Sequence, residues 1–92
     1  MTMEYNERKI LVLEYARVHN EFSAAELARD QGIPGKHGKI YCLKYLRQGL
    51  LERRKEQGVY WYTLTKKGLE RLQFLADTMP EIFTTLTSQR LT

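Results

Sequence analysis

The side chains able to ligate a soft metal or act as a nucleophile are Cys42, His19 and His37. None shows the paired spacing that zinc sites use. Cys42 sits in an apolar-rich run, where a buried inert thiol is expected rather than a Cys–His nucleophile. The six glycines, at 32, 35, 38, 49, 58 and 68, are dispersed and form no phosphate-cradling loop. No catalytic residue, metal or cofactor is therefore expected, and charge carries the chemistry instead. Between Pro34 and Lys55 seven basic residues (Lys36, Lys39, Lys44, Arg47, Arg53, Arg54 and Lys55) face one acid, Glu52, a net +6 in a 92-residue chain whose total is only +4. A field gathered in this way suits a polyanion, because each phosphate neutralised by Lys or Arg releases condensed counterions.

The elements that must position those cations follow from capping and periodicity. Asn6 is placed to cap a first helix from about Glu7 to His19, with Ile10, Leu11, Leu13, Ala16 and Val18 inward and Arg8, Lys9, Glu14 and Arg17 outward. Ser23-Ala24-Ala25-Glu26 is a capping box that opens a short second helix, ended by Gly32, and Phe22 staples that helix to the core. A third helix is predicted from Lys36 or His37 to Gln48, with Ile40, Leu43 and Leu46 facing inward and Gly49 closing it. Leu50 to Lys55 and Val59 to Leu64 read as two strands around a turn at Glu56-Gln57-Gly58. Thr65 caps a fourth helix whose stripe is Leu69, Leu72, Leu75, Ala76 and Met79, and Pro80 stops it. Ile82, Phe83 and Leu86 continue at helical spacing in a Thr/Ser-rich tail.

This size and composition fit one domain: core and hairpin at about 7–64, fourth helix at 65–79, tail at 80–92. No apolar run reaches the length of a membrane helix, and Met-Thr-Met-Glu-Tyr-Asn-Glu lacks the order of a secretory signal. With one cysteine, a cytoplasmic protein is the simplest expectation.

The order helix, helix, turn, helix, hairpin, helix resembles a winged helix-turn-helix domain, mainly α with a small β-hairpin (α-α-α-β-β-α), over residues 7 to 79. The segment FSAAELARDQGIPG is similar to the first helix of that motif and its turn. YLRQGLLERRKEQGVYWYTLTKKGLERL resembles the end of the recognition helix, the wing and the strand-to-helix junction of MarR- and PadR-like regulators. Tyr62, Leu64, Thr65 and Gly68 match the Tyr-x-Leu-Thr-x-x-Gly run of those families. Two departures stand out: Leu46 to Gly49 is one residue shorter than usual, and Pro34, Gly35 and Gly38 loosen the start of the reading helix.

The resemblance implies a sequence-specific, double-stranded-DNA-binding transcriptional regulator, a small dimeric repressor. The alternatives are a DNA-binding module for replication, partition or recombination, and a protein–protein interaction domain. With Ile40, Leu43 and Leu46 inward, the 100° step points Gly38, Tyr41, Tyr45 and Gln48 outward, with His37 and Lys44 on the shoulders. Lys36 and Lys39 suit phosphates near the amino end. Arg53, Arg54, Lys55 and Gln57 supply the wing contact, alternation sending Arg54 to the face opposite Arg53 and Lys55. The stripe at Leu69, Leu72, Leu75, Ala76 and Met79, with Ile82, Phe83 and Leu86, is the expected homodimer interface.

Overall fold

The computed structural model describes the backbone of residues 5–90 and the side chains of 6–86. The reading of the first residues as no export signal, and the end of the Thr/Ser-rich tail, lie outside the described residues. The chain order is α1 (Tyr5–His19), β1 (Glu21–Phe22), α2 (Ala24–Gln31), α3 (Gly35–Arg47), β2 (Leu51–Glu56), β3 (Val59–Leu64), α4 (Lys66–Thr78) and α5 (Pro80–Arg90). The strands form one antiparallel sheet in the order β1-β3-β2. This is a winged helix-turn-helix architecture, with one more strand and one more helix than the sequence pattern shows.

Local signals explain most boundaries. The Ser23–Glu26 capping box forms in both directions, and Gly32 ends α2 at φ 68°. Thr65 caps α4 by accepting from the Gly68 amide at 2.9 Å, and its hydroxyl donates to the Gly49 carbonyl at 2.7 Å. That pair of bonds ties the start of α4 to the end of α3. Gly68 permits the close approach: a Cβ there would lie 2.1 Å from the Leu50 carbonyl oxygen. Gln57 and Gly58, at φ 52° and 81°, make the two-residue turn between β2 and β3, as a right-twisted hairpin requires.

Two expectations are corrected here and one strand is added. Asn6 lies within the first turn of α1 rather than capping it. Glu21 and Phe22 pair with Thr63 and Tyr62; two residues are too few for a periodic signal, and only the neighbour makes them a strand. Pro80 does not merely stop α4. It opens α5, because the first helical position needs no donated N–H.

The core is built around α1, which packs against α4 and α5 on one side and the sheet on the other. Ile10, Val12, Leu13, Tyr15 and Ala16 are buried, and so are Lys9 and Glu14, which the one-sided pattern put outward, while Val18 is exposed. A helix covered on several sides keeps little polar face: Arg17 stays exposed while Lys9 and Glu14 are enclosed. Glu14 is matched by a two-pronged ion pair with Arg17, and the Lys9 ammonium lies 6.0 Å from the Tyr45 ring centre.

The expected dimer stripe is largely spent within the chain. Leu72 and Leu75 are buried, and Met79, Ile82, Phe83 and Leu86 pack half-buried on the same core. Ala76 is half-buried and only Leu69, at 45% exposure, stands open. The reason is topological: α4 and α5 fold back over α1, so the apolar stripe closes this chain's own interior first.

Candidate nucleic-acid interface

Leu46 packs on the core as expected, but α3 turns a different side outward than Ile40 and Leu43 suggest. Gly38, Cys42 and Tyr45 are its buried residues, and Ile40 is 54% exposed. The cause is backbone approach by α2. A Cβ at Gly38 would stand 2.7 Å from the Ala24 carbonyl oxygen and 3.1 Å from the Ala28 Cβ, so the glycine face is the one that seats. Tyr45 then fills the core at 0% exposure, which removes it from any reading surface. Cys42 is likewise sealed, and burial pushes its thiol up to about 12.

The outward crest of α3 consists of Lys36, Lys39, Ile40, Leu43 and Arg47, all exposed except the half-buried Leu43. His37, Tyr41, Lys44 and Gln48 lie on the flank by the helical step, each half-buried. Tyr41 packs on the core, with the Arg8 guanidinium 4.5 Å above its ring, and His37 lies 6.1 Å from that ring. Tyr41 is thus a core-edge residue more than a groove residue. Ile40, Leu43 and Arg47 were missing from the sequence-derived site. The signal that marks them is Gly38, a glycine inside a helix where only close packing gives it a reason.

The wing sorts its cations by face. Arg53 lays its guanidinium 3.9 Å from the Tyr60 ring centre and donates to the Tyr62 hydroxyl at 3.4 Å. Lys55 is 5.4 Å from the same ring. Tyr60 therefore serves as a platform holding two cations on one side of the ribbon. Arg54, on the other side, donates from Nε and Nη2 to the two Glu21 carboxylate oxygens at 2.8 and 2.7 Å, and its Nη1 meets Glu56 at 3.1 Å. Its hydrogen bond to Arg54 holds the Glu21 carboxyl below its ordinary range. Arg54, expected at the DNA contact, is paired with carboxylates on the face of the ribbon opposite Arg53 and Lys55. Gln57 remains exposed at the tip.

The two cationic surfaces meet. A groove of about 680 Å³ runs between α3 and the wing, lined among others by Lys39, Leu43, Arg53 and Tyr60, with the amino end of α2 contributing one acid, Glu26. Of the arginines with described side chains, Arg17, Arg29 and Arg54 are paired with carboxylates. Arg47 and Arg53, on the crest and the wing, carry no ion pair among the described residues. Among the described residues no cluster of His, Cys, Asp and Glu could hold a metal, and no helix is long and apolar enough to cross a membrane.

No family model and no curated protein sequence matches the chain. Solved structures match its fold, that of MarR-like winged-helix proteins. Wild-type MarR from E. coli in its apo form aligns with a TM-score of 0.74 at 15% identity, covering 89% of this chain and 63% of that one. BpsR from Bordetella bronchiseptica, whose DNA binding is regulated by 6-hydroxynicotinic acid, gives 0.74 at 14% identity over 92% and 62%. The transcriptional regulator BldR from Sulfolobus solfataricus gives 0.71 at 16% identity over 96% and 63%. The chain thus spans about three fifths of the length of these neighbours.

Proposed function

We propose that this chain is a DNA-binding transcriptional regulator that lays α3 in a major groove and braces it with the wing. The observation that carries the reading is the convergence of crest and wing cations, Lys39 and Arg53, on one groove, while the acid-paired arginines sit elsewhere. The fold neighbours BpsR and BldR support it by analogy. The protein acts as a small repressor in the cytoplasm, beside the DNA it occludes. It works as a homodimer through what α4 and α5 leave uncovered, Leu69 and the outer edges of Ala76, Met79, Ile82, Phe83 and Leu86, so that two α3 helices reach half-sites about 34–36 Å apart.

Selection of bound fragments from a random duplex pool tests the reading; a palindromic motif is the expected product, and no enrichment would sink it. Salt titration tests the site. Arg53→Ala should flatten the dependence of log affinity on log salt by about one unit. Arg54→Ala, already neutralised by Glu21 and Glu56, should leave the slope where it was.

A further inference from the structure

The cationic surface does not end with α3. Arg47, at the carboxyl end of the crest, lines a groove of about 360 Å³ with Gln48, Leu50, Lys67 and Arg71. A neighbouring groove of about 350 Å³ continues over Lys67, Glu70, Arg71 and Phe74. Three cations from two elements therefore crowd together with one carboxylate, Glu70, beside them. Their placement is set by the Thr65–Gly49 bond that joins α4 to the end of α3. The Lys67 ammonium lies over that junction, 3.6 Å from where a Gly49 Cβ would stand.

None of the three carries an ion pair among the described residues. The Arg71 guanidinium is 6.0 Å from the Phe74 ring centre, and that ring is 56% exposed. Three cations beside a single carboxylate that pairs with none of them keep a net positive field, and the first turn of α4 carries no acid to offset its lysines. Such a cluster is stabilised when an anion arrives. It is also continuous with the crest of α3 through Arg47.

The geometry points to a second phosphate-binding surface: Arg47, Lys67 and Arg71 grip the sugar-phosphate backbone of the duplex where it leaves the groove occupied by α3. The inference rests on the DNA-binding reading and lengthens its footprint. Recognition here is of charge spacing alone, so it adds affinity without adding sequence preference.

The test is fluorescence anisotropy on a labelled mixed-sequence duplex several helical turns long, titrated between about 50 and 200 mM salt. Wild type is compared with Lys67→Ala/Arg71→Ala and with Arg29→Ala, a charge control on α2 whose side chain is 70% exposed and paired with Asp30. The double variant should lose about two units of slope, and the control none. Lys67 and Arg71 are exposed, so both variants should keep the wild-type unfolding temperature. A wild type that binds while the double variant keeps its slope overturns this surface alone and leaves its cations to an acidic protein segment. Equal flattening by Arg29→Ala overturns it too, reducing the effect to net charge. A wild type with no salt-dependent affinity removes the proposed function as well.

Discussion

Ile40 stands 54% exposed between Lys36, Lys39 and Arg47, and its side chain has no hydrogen bond to offer a base edge. In a major groove the apolar group it can meet is the thymine methyl. Within a selected site, replacing the contacted thymine by deoxyuridine should weaken wild type about four-fold, the worth of roughly one buried methyl. Ile40→Ala should be indifferent to the change. Equal sensitivity in both proteins would show that another side chain reads the methyl. Cys42 makes the opposite case, a group held away from solvent. Its thiol, raised to about 12 by burial, stays neutral in the folded chain after the unfolded chain has begun to ionise. The contribution is complete below the ordinary thiol range and fades as pH climbs from about 9 towards 12. Denaturation midpoints should therefore fall more steeply over that window in wild type than in Cys42→Ala; parallel curves would contradict the assignment.

Elements in this molecule are joined at points where a glycine replaces a side chain. Gly38 seats α3 on α2, and Gly68 seats α4 on the Leu50 backbone. Gly38→Ala should destabilise by about 1–3 kcal/mol through overpacking. Gly68→Ala should cost more, since each meets a backbone carbonyl oxygen but the one at Gly68 stands at 2.1 Å against 2.7 Å at Gly38. Thermal unfolding reads the stability, and duplex affinity reads the consequence, because a shifted α3 no longer lines up with Arg53 and Tyr60 across the groove. A Gly68→Ala protein as stable as wild type would refute the packing account. Both elements around Gly38 were legible in the sequence, through the Ser23–Glu26 box and Gly49. Their mutual facing was not. Ile40/Leu43 and Cys42/Tyr45 both stand at helical spacing, and the clash that chooses between them exists only once α2 is beside α3, while Leu46 faces the core as expected.

For the whole molecule, the consequence is that stability and association draw on the same helices in different residues. Leu72, 3% exposed, belongs to the chain's own core. Leu72→Glu buries an unpaired carboxylate, so it should abolish cooperative unfolding at ordinary temperature rather than yield a folded monomer. Phe74→Glu lies on the outer side of α4 at 56% exposure and should leave the fold intact. Circular dichroism with light scattering separates the two outcomes. A folded, monomeric Leu72→Glu protein would restore Leu72 to an intersubunit seam and undo the present assignment of the core.

Taken alone, the amino-acid order settled what is decided within a few residues. The Ser23 and Thr65 caps, the turn at Gln57-Gly58, the alternation that parts Arg54 from Arg53, and the concentration of charge between Pro34 and Lys55 all read directly from it. Tertiary structure decided that Cys42 and Tyr45 rather than Ile40 and Leu43 face in on α3, that Glu21 and Phe22 form a strand, that α4 and α5 close over α1, and that Glu21 and Glu56 pair with Arg54. The division has one physical cause. Caps, turns and pleat act through bonds between near neighbours, whereas facing and pairing depend on how closely another backbone or a distant carboxylate approaches.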